Sequence, residues 1–193
     1  WAGKQPDDNV VTILEGVRNG FKNSNVTYYE CEDHRSISDE DIDKVKYKAS
    51  EADVSIVVVG DNSFRTYWNS RTNGENSDRA DVSLFGRQLD LVKGAHASGK
   101  PVIVILAIGK PTAIPWIKEN IPGVLVAWET GAFSGTAVSD ILLGKYNPSG
   151  KLPISFPRSS GQLPVFYNHR PSSYYRTYND EETGALYGFG YGL

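Results

Sequence analysis

The chain has 193 residues, of which 39% are hydrophobic and 22% are charged, and its formal net charge is −3. This size and composition suit one compact domain, or a part of a larger protein. The 20 basic residues are interspersed with 23 acidic ones, so the charge pattern argues against nucleic acid and against an anionic membrane surface as partners. The sequence has neither an apolar stretch of the roughly 20 residues that span a bilayer nor a signal-peptide pattern.

The first fifty residues predict two helices with a short strand between them. Apolar residues recur with helical spacing over residues 10–21, after Asp7, Asp8 and Asn9, which offer N-cap chemistry. Residues 26–29 predict a short strand. Ser38 and the acidic residues that follow it resemble a capping box ahead of the second helix.

A charged loop follows the first long apolar run, residues 53–59, and displays Glu75. In open α/β sheets, loops beyond the carboxyl ends of buried strands present reactive groups to ligands. A glutamate in a polar loop is nevertheless a solvated surface carboxylate by default. The loop alone therefore leaves both interpretations of Glu75 open.

The rest of the chain alternates strands with helices before its character changes. Helices are predicted over 88–97 and 136–143, and continuous apolar strands over 102–106 and 124–127. Uninterrupted apolar strands that alternate with helices indicate a mostly parallel sheet flanked by helices on both faces, which is a three-layer α/β sandwich. Residues 151–156 alternate as an edge strand would, and a loop-rich, aromatic tail is predicted to pack on this or a neighbouring domain.

Seven ordered motifs carry a resemblance to a known family. They are Gly74-Glu75-x-Ser77-Asp78-Arg79, Gln88-x-Asp90-Leu91, Gly99-Lys100-Pro101-Val102, Asp140-Ile141-Leu142-Leu143-Gly144, Asn147-Pro148-Ser149-Gly150-Lys151-Leu152-Pro153, Phe156-Pro157 and Tyr187-Gly188-Phe189-Gly190-Tyr191-Gly192-Leu193. In this order they resemble the second domain of glycoside hydrolase family 3, and the periplasmic β-glucosidase branch most closely. The similarity runs along the whole chain.

The resemblance implies a retaining mechanism that uses two carboxyl groups on two domains. The match to the loop motif assigns the general acid/base to Glu75, with Ser77, Asp78 and Arg79 as the supporting loop. The nucleophile comes from a (β/α)₈ barrel domain and is not in this chain, so we expect the isolated chain to be inactive. We also expect Arg79 to pair with Asp78 or with Asp81 rather than with Glu75.

Two further residues are candidates to line the substrate. Asp61 directly follows the first long strand. It is predicted either to line a sugar site or to form a turn or cap a helix. Trp68 is predicted either to stack on a sugar ring or to pin the loop by packing. The three histidines are too widely spread to predict a metal site, and we expect no cofactor.

The implied activity is that of an exo-acting β-glucosidase, which removes terminal β-D-glucosyl residues from a glucoside or oligosaccharide. A β-xyloside is the alternative substrate, and a non-catalytic carbohydrate-binding or scaffold module is the alternative function. Residues 1–160 are expected to form the sandwich domain without its first strand, and residues 161–193 are expected to form the tail. The family also implies a periplasmic or secreted protein.

Overall fold

The computed structural model describes residues 6–31, 35–63, 71–74, 78–168 and 178–193. In these ranges the elements follow in the order α1 (Ile13–Gly20), α2 (Asp39–Ser50), β1 (Ser55–Gly60), α3 (Gln88–His96), β2 (Val102–Ala107), α4 (Pro115–Asn120), β3 (Gly123–Val126) and α5 (Ser134–Leu142). Short 3₁₀ helices cover Asp7–Asn9 and Ser160–Gln162.

The three described strands form one parallel sheet in the order β1-β2-β3. The register aligns Ser55 with Val102 and Ile103 with Gly123. Parallel strands need cover on both faces, which explains why these segments are rich in Val, Ile and Leu rather than alternating with polar residues. The predicted parallel α/β arrangement is confirmed.

Alternate residues of β2 face two separate layers of helices. Val104 and Leu106 are fully buried in the larger core cluster, with Val92 of α3 and Ile117 of α4. Ile105 points to the opposite face, where a smaller cluster includes α1 and α5 residues. A strand with both faces buried is the hallmark of a sheet between two helical layers, as in an α/β sandwich.

The two N-terminal helices differ in how well the sequence predicted their starts. The capping box at Ser38 is confirmed, because its hydroxyl accepts from the Asp41 amide while the Asp41 carboxylate accepts from the Ser38 amide. The start of α1 was predicted too early. Thr12 is the N-cap, and it forms a capping box with Glu15.

The strand predicted over residues 26–29 is wrong. In the described structure this segment forms no backbone ladder with another strand, although it lines a recess beside β1. A side-chain contact anchors it instead, since Tyr29 Oη donates to Asp41 Oδ1 at 2.6 Å. β-Branched and aromatic residues favour a strand only where a partner strand is bonded to them.

The edge strand predicted over residues 151–156 is reduced to an isolated antiparallel bridge between Phe156 and Tyr187. Further backbone bonds link Leu152 with Tyr191 and Gly190. The break between these contacts coincides with Pro153, which has no amide to donate. The described part of the tail thus packs on this domain, and the boundary at residue 160 stays a prediction.

Helices α1 and α5 approach closely through two glycines. A Cβ on Gly16 would lie 2.0 Å from the carbonyl oxygen of Gly135, and a Cβ on Gly135 would lie 1.9 Å from the carbonyl oxygen of Thr12. Both obstacles are backbone atoms, so a side-chain rotation cannot relieve the clash. The spacing of this helical layer therefore depends on glycine at both positions.

The substitution Gly16→Ala is expected to lower the free energy of unfolding by about 1–3 kcal/mol, because the added methyl group forces the helices apart. Gly188→Ala is the matched control, since among the described residues no atom beyond its chain neighbours lies within 4 Å of the Cβ it adds. Urea denaturation of the two variants and the parent measures the difference. Equal stability of both variants would contradict the close contact.

The hydrogen bond between Tyr29 and Asp41 makes the stability of the fold depend on pH. Hydrogen bonds from Tyr29 and then Ser38 lower the pKa of Asp41 to about 2 from 3.8. The same bond to Asp41 raises the pKa of Tyr29 to about 12 from 10.0. A carboxylate with a lowered pKa stabilises the fold above its ordinary pKa, and this stabilisation disappears as the pH falls through the folded value.

Tyr29→Phe should therefore cost more stability at pH 6 than at pH 2.5, where Asp41 of the unfolded chain is protonated. Urea titrations of parent and variant at both pH values provide the measurement. A stability difference that is the same at both pH values would show that the bond does not depend on the charge of Asp41.

Candidate active site

Polar residues follow each of the three strands at the same edge of the sheet. β1 ends at Gly60 and is followed by Asp61, Asn62 and Ser63. Lys110 lies three residues beyond β2, and Glu129 lies three residues beyond β3. Because the strands are parallel, their carboxyl ends meet at one edge, which is where open α/β sheets bind ligands.

The carboxylate of Asp61 is the centre of this edge. Its side chain is only 2% exposed, and its two oxygens lie 2.9 and 2.8 Å from Lys110 Nζ. Arg79 Nη1 lies 3.5 Å from Oδ1, and the Thr72 hydroxyl lies 3.4 Å from the same oxygen. Removing a carboxylate from water is costly unless cations and hydrogen-bond donors of this kind surround it.

The predicted pairing of Arg79 with Asp78 or Asp81 is wrong. Arg79 pairs with Asp61, donates from Nη2 to the carbonyl oxygen of Ser83 at 3.0 Å, and stacks over Phe85 at 5.1 Å from the ring centroid. Asp81 is bonded to Ser83 and Ser160 instead. Whether Arg79 avoids Glu75 stays a prediction.

The segment after the Glu75 loop is anchored through Asp81. Its Oδ1 accepts from the Ser83 hydroxyl at 2.6 Å, from the Ser83 amide at 2.9 Å and from the Ser160 hydroxyl at 2.8 Å. These hydrogen bonds lower the pKa of the Asp81 carboxyl, and the bond from the Ser83 hydroxyl has the largest effect. Ser83 also forms a parallel bridge with Ala113, so this stem is fixed to the body of the domain.

The segment before Glu75 is anchored as firmly. Thr72 and Asn73 are buried, although a polar loop stem would ordinarily be solvated. The Thr72 amide donates to the carbonyl oxygen of Asn62 at 2.8 Å, and the Asn62 amide donates to the Thr72 hydroxyl at 2.8 Å. Gly74 then has φ +105°, a backbone conformation that favours glycine.

The described residues place the candidates as follows. Asp61 and Arg79 come together, and Asp78 is exposed at the loop end. Glu75, Ser77 and Trp68 lie outside the described residues, so their roles stay predictions. The substrate-lining role of Asp61 also stays a prediction, and its oxygens are directed at protein cations.

Two residues that shape this edge carried no distinct signal as site residues in the sequence. Lys110 stands among ordinary turn residues, and only the fold brings it to Asp61. Gln88 was quoted as part of a motif without a role. Its side-chain amide accepts from the Gly60 amide at 2.7 Å and donates to the Gly60 carbonyl at 2.9 Å, as a neighbouring strand would.

In the described ranges, no group of three or more His, Cys, Asp or Glu side chains is arranged to hold a metal ion. Among the same residues, no helix has the length and apolar character that crossing a membrane requires.

The fold and this edge define an α/β sandwich domain with an anchored acidic loop beyond its first strand. The family model of the glycosyl hydrolase family 3 C-terminal domain matches residues 1–193. The chain therefore belongs to glycosyl hydrolase family 3, as a C-terminal domain.

Individual relatives agree with this assignment. The chain is 40% identical over 162 residues to the periplasmic beta-glucosidase of Salmonella typhimurium, covering 79% of this chain and 20% of that protein. It is 38% identical over 187 residues to a beta-xylosidase of Formosa agariphila, covering 95% and 25%. The solved beta-glucosidase of Listeria innocua in complex with glucose superimposes with a TM-score of 0.81 at 31% identity, covering 96% and 26%. The chain thus spans about a quarter or less of these relatives.

Loss of the Asp61 carboxylate is expected to destabilise the domain strongly. Asp61→Asn leaves Lys110 and Arg79 without their counter-charge, and breaking a buried pair costs about 3–5 kcal/mol. Glu40→Gln is the matched control, because the Glu40–Lys44 pair is exposed and such pairs contribute about 0–1 kcal/mol. Urea denaturation compares the two. A loss no larger for Asp61→Asn than for the control would contradict the burial argument.

Proposed function

We propose that this chain is the acid/base-bearing domain of a retaining, exo-acting β-glucosidase. The observation that supports this most directly is the double anchoring of the loop around Glu75. Its first stem is bonded to the end of β1 and its second to Ala113 and Ser160. A general acid must be held in a fixed place relative to the bond it cleaves, and this loop begins and ends on rigid parts of the domain.

The mechanism requires a second carboxylate. In retaining glycosidases one carboxylate attacks the anomeric carbon, and the other protonates the leaving oxygen and later activates water, with about 5–5.5 Å between them. Glu75 takes the second role in this proposal. The nucleophile belongs to the (β/α)₈ barrel domain, and a β-linked glucoside binds between the two.

The glycone and the compartment are proposed from the relatives. The Salmonella and Listeria proteins are beta-glucosidases, which favours glucose. The Formosa protein is a beta-xylosidase, so a β-xyloside is the second candidate. Paired assays with 4-nitrophenyl β-glucoside and β-xyloside separate the two. The periplasmic Salmonella relative supports a periplasmic or secreted location.

The test is Glu75→Ala in the protein that carries both this domain and the barrel. General acid/base assistance contributes about 10²–10⁴-fold, so turnover should fall by this factor for a sugar or alkyl leaving group. The loss should be clearly smaller for a dinitrophenyl glucoside, whose leaving group needs little protonation. Azide should restore part of the rate and give a glycosyl azide of retained configuration.

Glu119→Ala is the control, because Glu119 is an exposed glutamate on α4, away from the strand ends. It should leave all rates unchanged. A uniform loss across leaving groups with no azide effect and a lower melting temperature would instead indicate a structural Glu75. That result would overturn the assignment, favour a non-catalytic role for this loop and make Asp78 the next residue to test.

A further inference from the structure

A second polar cluster lies at the same edge of the sheet and consists of Ser63, Asn73 and Glu129. The Ser63 hydroxyl donates to Glu129 Oε1 at 3.3 Å, which joins the residues after β1 to those after β3. Both side chains are exposed. The salt bridges between described residues do not include Glu129.

Gly109 brings Asn73 and Glu129 together. A Cβ on Gly109 would lie 2.8 Å from Asn73 Nδ2 and 3.0 Å from Glu129 Oε1. The two polar side chains therefore close over the one residue of the β2 loop that has no side chain of its own. A larger residue at this position would displace both.

Asn73 supplies an independent observation. The residue is 8% exposed, and its Oδ1 is buried without a hydrogen-bond partner in the described structure. Buried amide oxygens are nearly always bonded in folded proteins, so an orphan of this kind needs an explanation. A ligand hydroxyl is a donor that would satisfy it.

The position of Glu129 is set by its own loop. The preceding residue, Trp128, has φ +54°, which is uncommon for a residue other than glycine. Its ring packs edge-on against Phe156, with 5.9 Å between the centroids. Strained backbone of this kind persists where the surrounding packing holds it, and it clusters at functional sites.

The chemistry of the cluster fits a neutral polyol. A carboxylate accepts from two adjacent hydroxyl groups, an amide offers both a donor and an acceptor, and a serine hydroxyl does the same. These groups lie at the base of the loop that contains Glu75. Asn73 is two residues before Glu75 in the sequence. A general acid protonates the oxygen of the leaving group, so the leaving group must lie on its side of the substrate.

We propose that Ser63, Asn73 and Glu129 bind the hydroxyl groups of the leaving-group sugar. This inference rests on the proposed function and adds a substrate-binding site to it. The cluster selects for a sugar rather than an apolar aglycone, with Glu129 as its principal hydrogen-bond acceptor. It takes no part in bond cleavage.

The experiment measures kcat/KM in the protein that carries the barrel, with cellobiose and with 4-nitrophenyl β-glucoside. Xylobiose and the aryl xyloside replace them if the parent prefers xylose. Glu129→Ala should lower kcat/KM for the disaccharide by about tenfold or more, the scale of a hydrogen bond to a charged group. The value of kcat/KM for the aryl substrate should change by less than about twofold, because its leaving group offers no sugar hydroxyl groups to the cluster.

Ser63→Ala is a second variant at an exposed position, and it should give a smaller loss in the same direction. Glu119→Gln serves as the control and should change kcat/KM for neither substrate. An equal loss on both substrates, or none on the disaccharide, would overturn the proposal. If the parent cleaves both substrates but Glu75→Ala shows no dependence on the leaving group, the proposed function fails, whatever the Glu129 variants show.

Discussion

The burial of one carboxylate, that of Asp61, organises the edge of the sheet on which the proposed chemistry depends. Lys110 and Arg79 are far from it in sequence, yet both must approach it because an ion removed from water needs counter-charges. These contacts join the residues after β1 and β2, and the segment that follows the Glu75 loop, to the Asp61 carboxylate. The stem that follows the Glu75 loop is thus held by an ion pair as well as by hydrogen bonds.

The elements that the sequence predicted well are those in which local chemistry and tertiary packing agree. The apolar runs of β1, β2 and β3 are continuous because both faces are covered, and the capping box at Ser38 is a contact between near neighbours. Residues 26–29 and 151–156 show the limit of predicting strands from composition. Their composition favours strands, but whether a strand forms depends on hydrogen bonds to a distant partner, and composition does not encode that partner.

The sequence likewise predicted some features of the candidate site and missed others. Family motifs single out Glu75 and the loop around it, but they do not say which acid meets which base. The expected partners of Arg79 were its neighbours in sequence, whereas the partner in the structure is 18 residues away. No sequence pattern singled out Lys110, Asn73 or Glu129, because each reaches this edge only when parallel strands bring separate loops together.

The tail has a consequence for the cooperativity of folding. Leu186 is 3% exposed within the main core, its amide bonds to the carbonyl of Phe156, and its carbonyl accepts from Lys118 Nζ at 2.8 Å. Residues that follow a loop-rich stretch therefore fill the same core as the sheet. Unfolding of the sheet core therefore exposes Leu186 as well, so local opening of this part of the tail is coupled to the stability of the core.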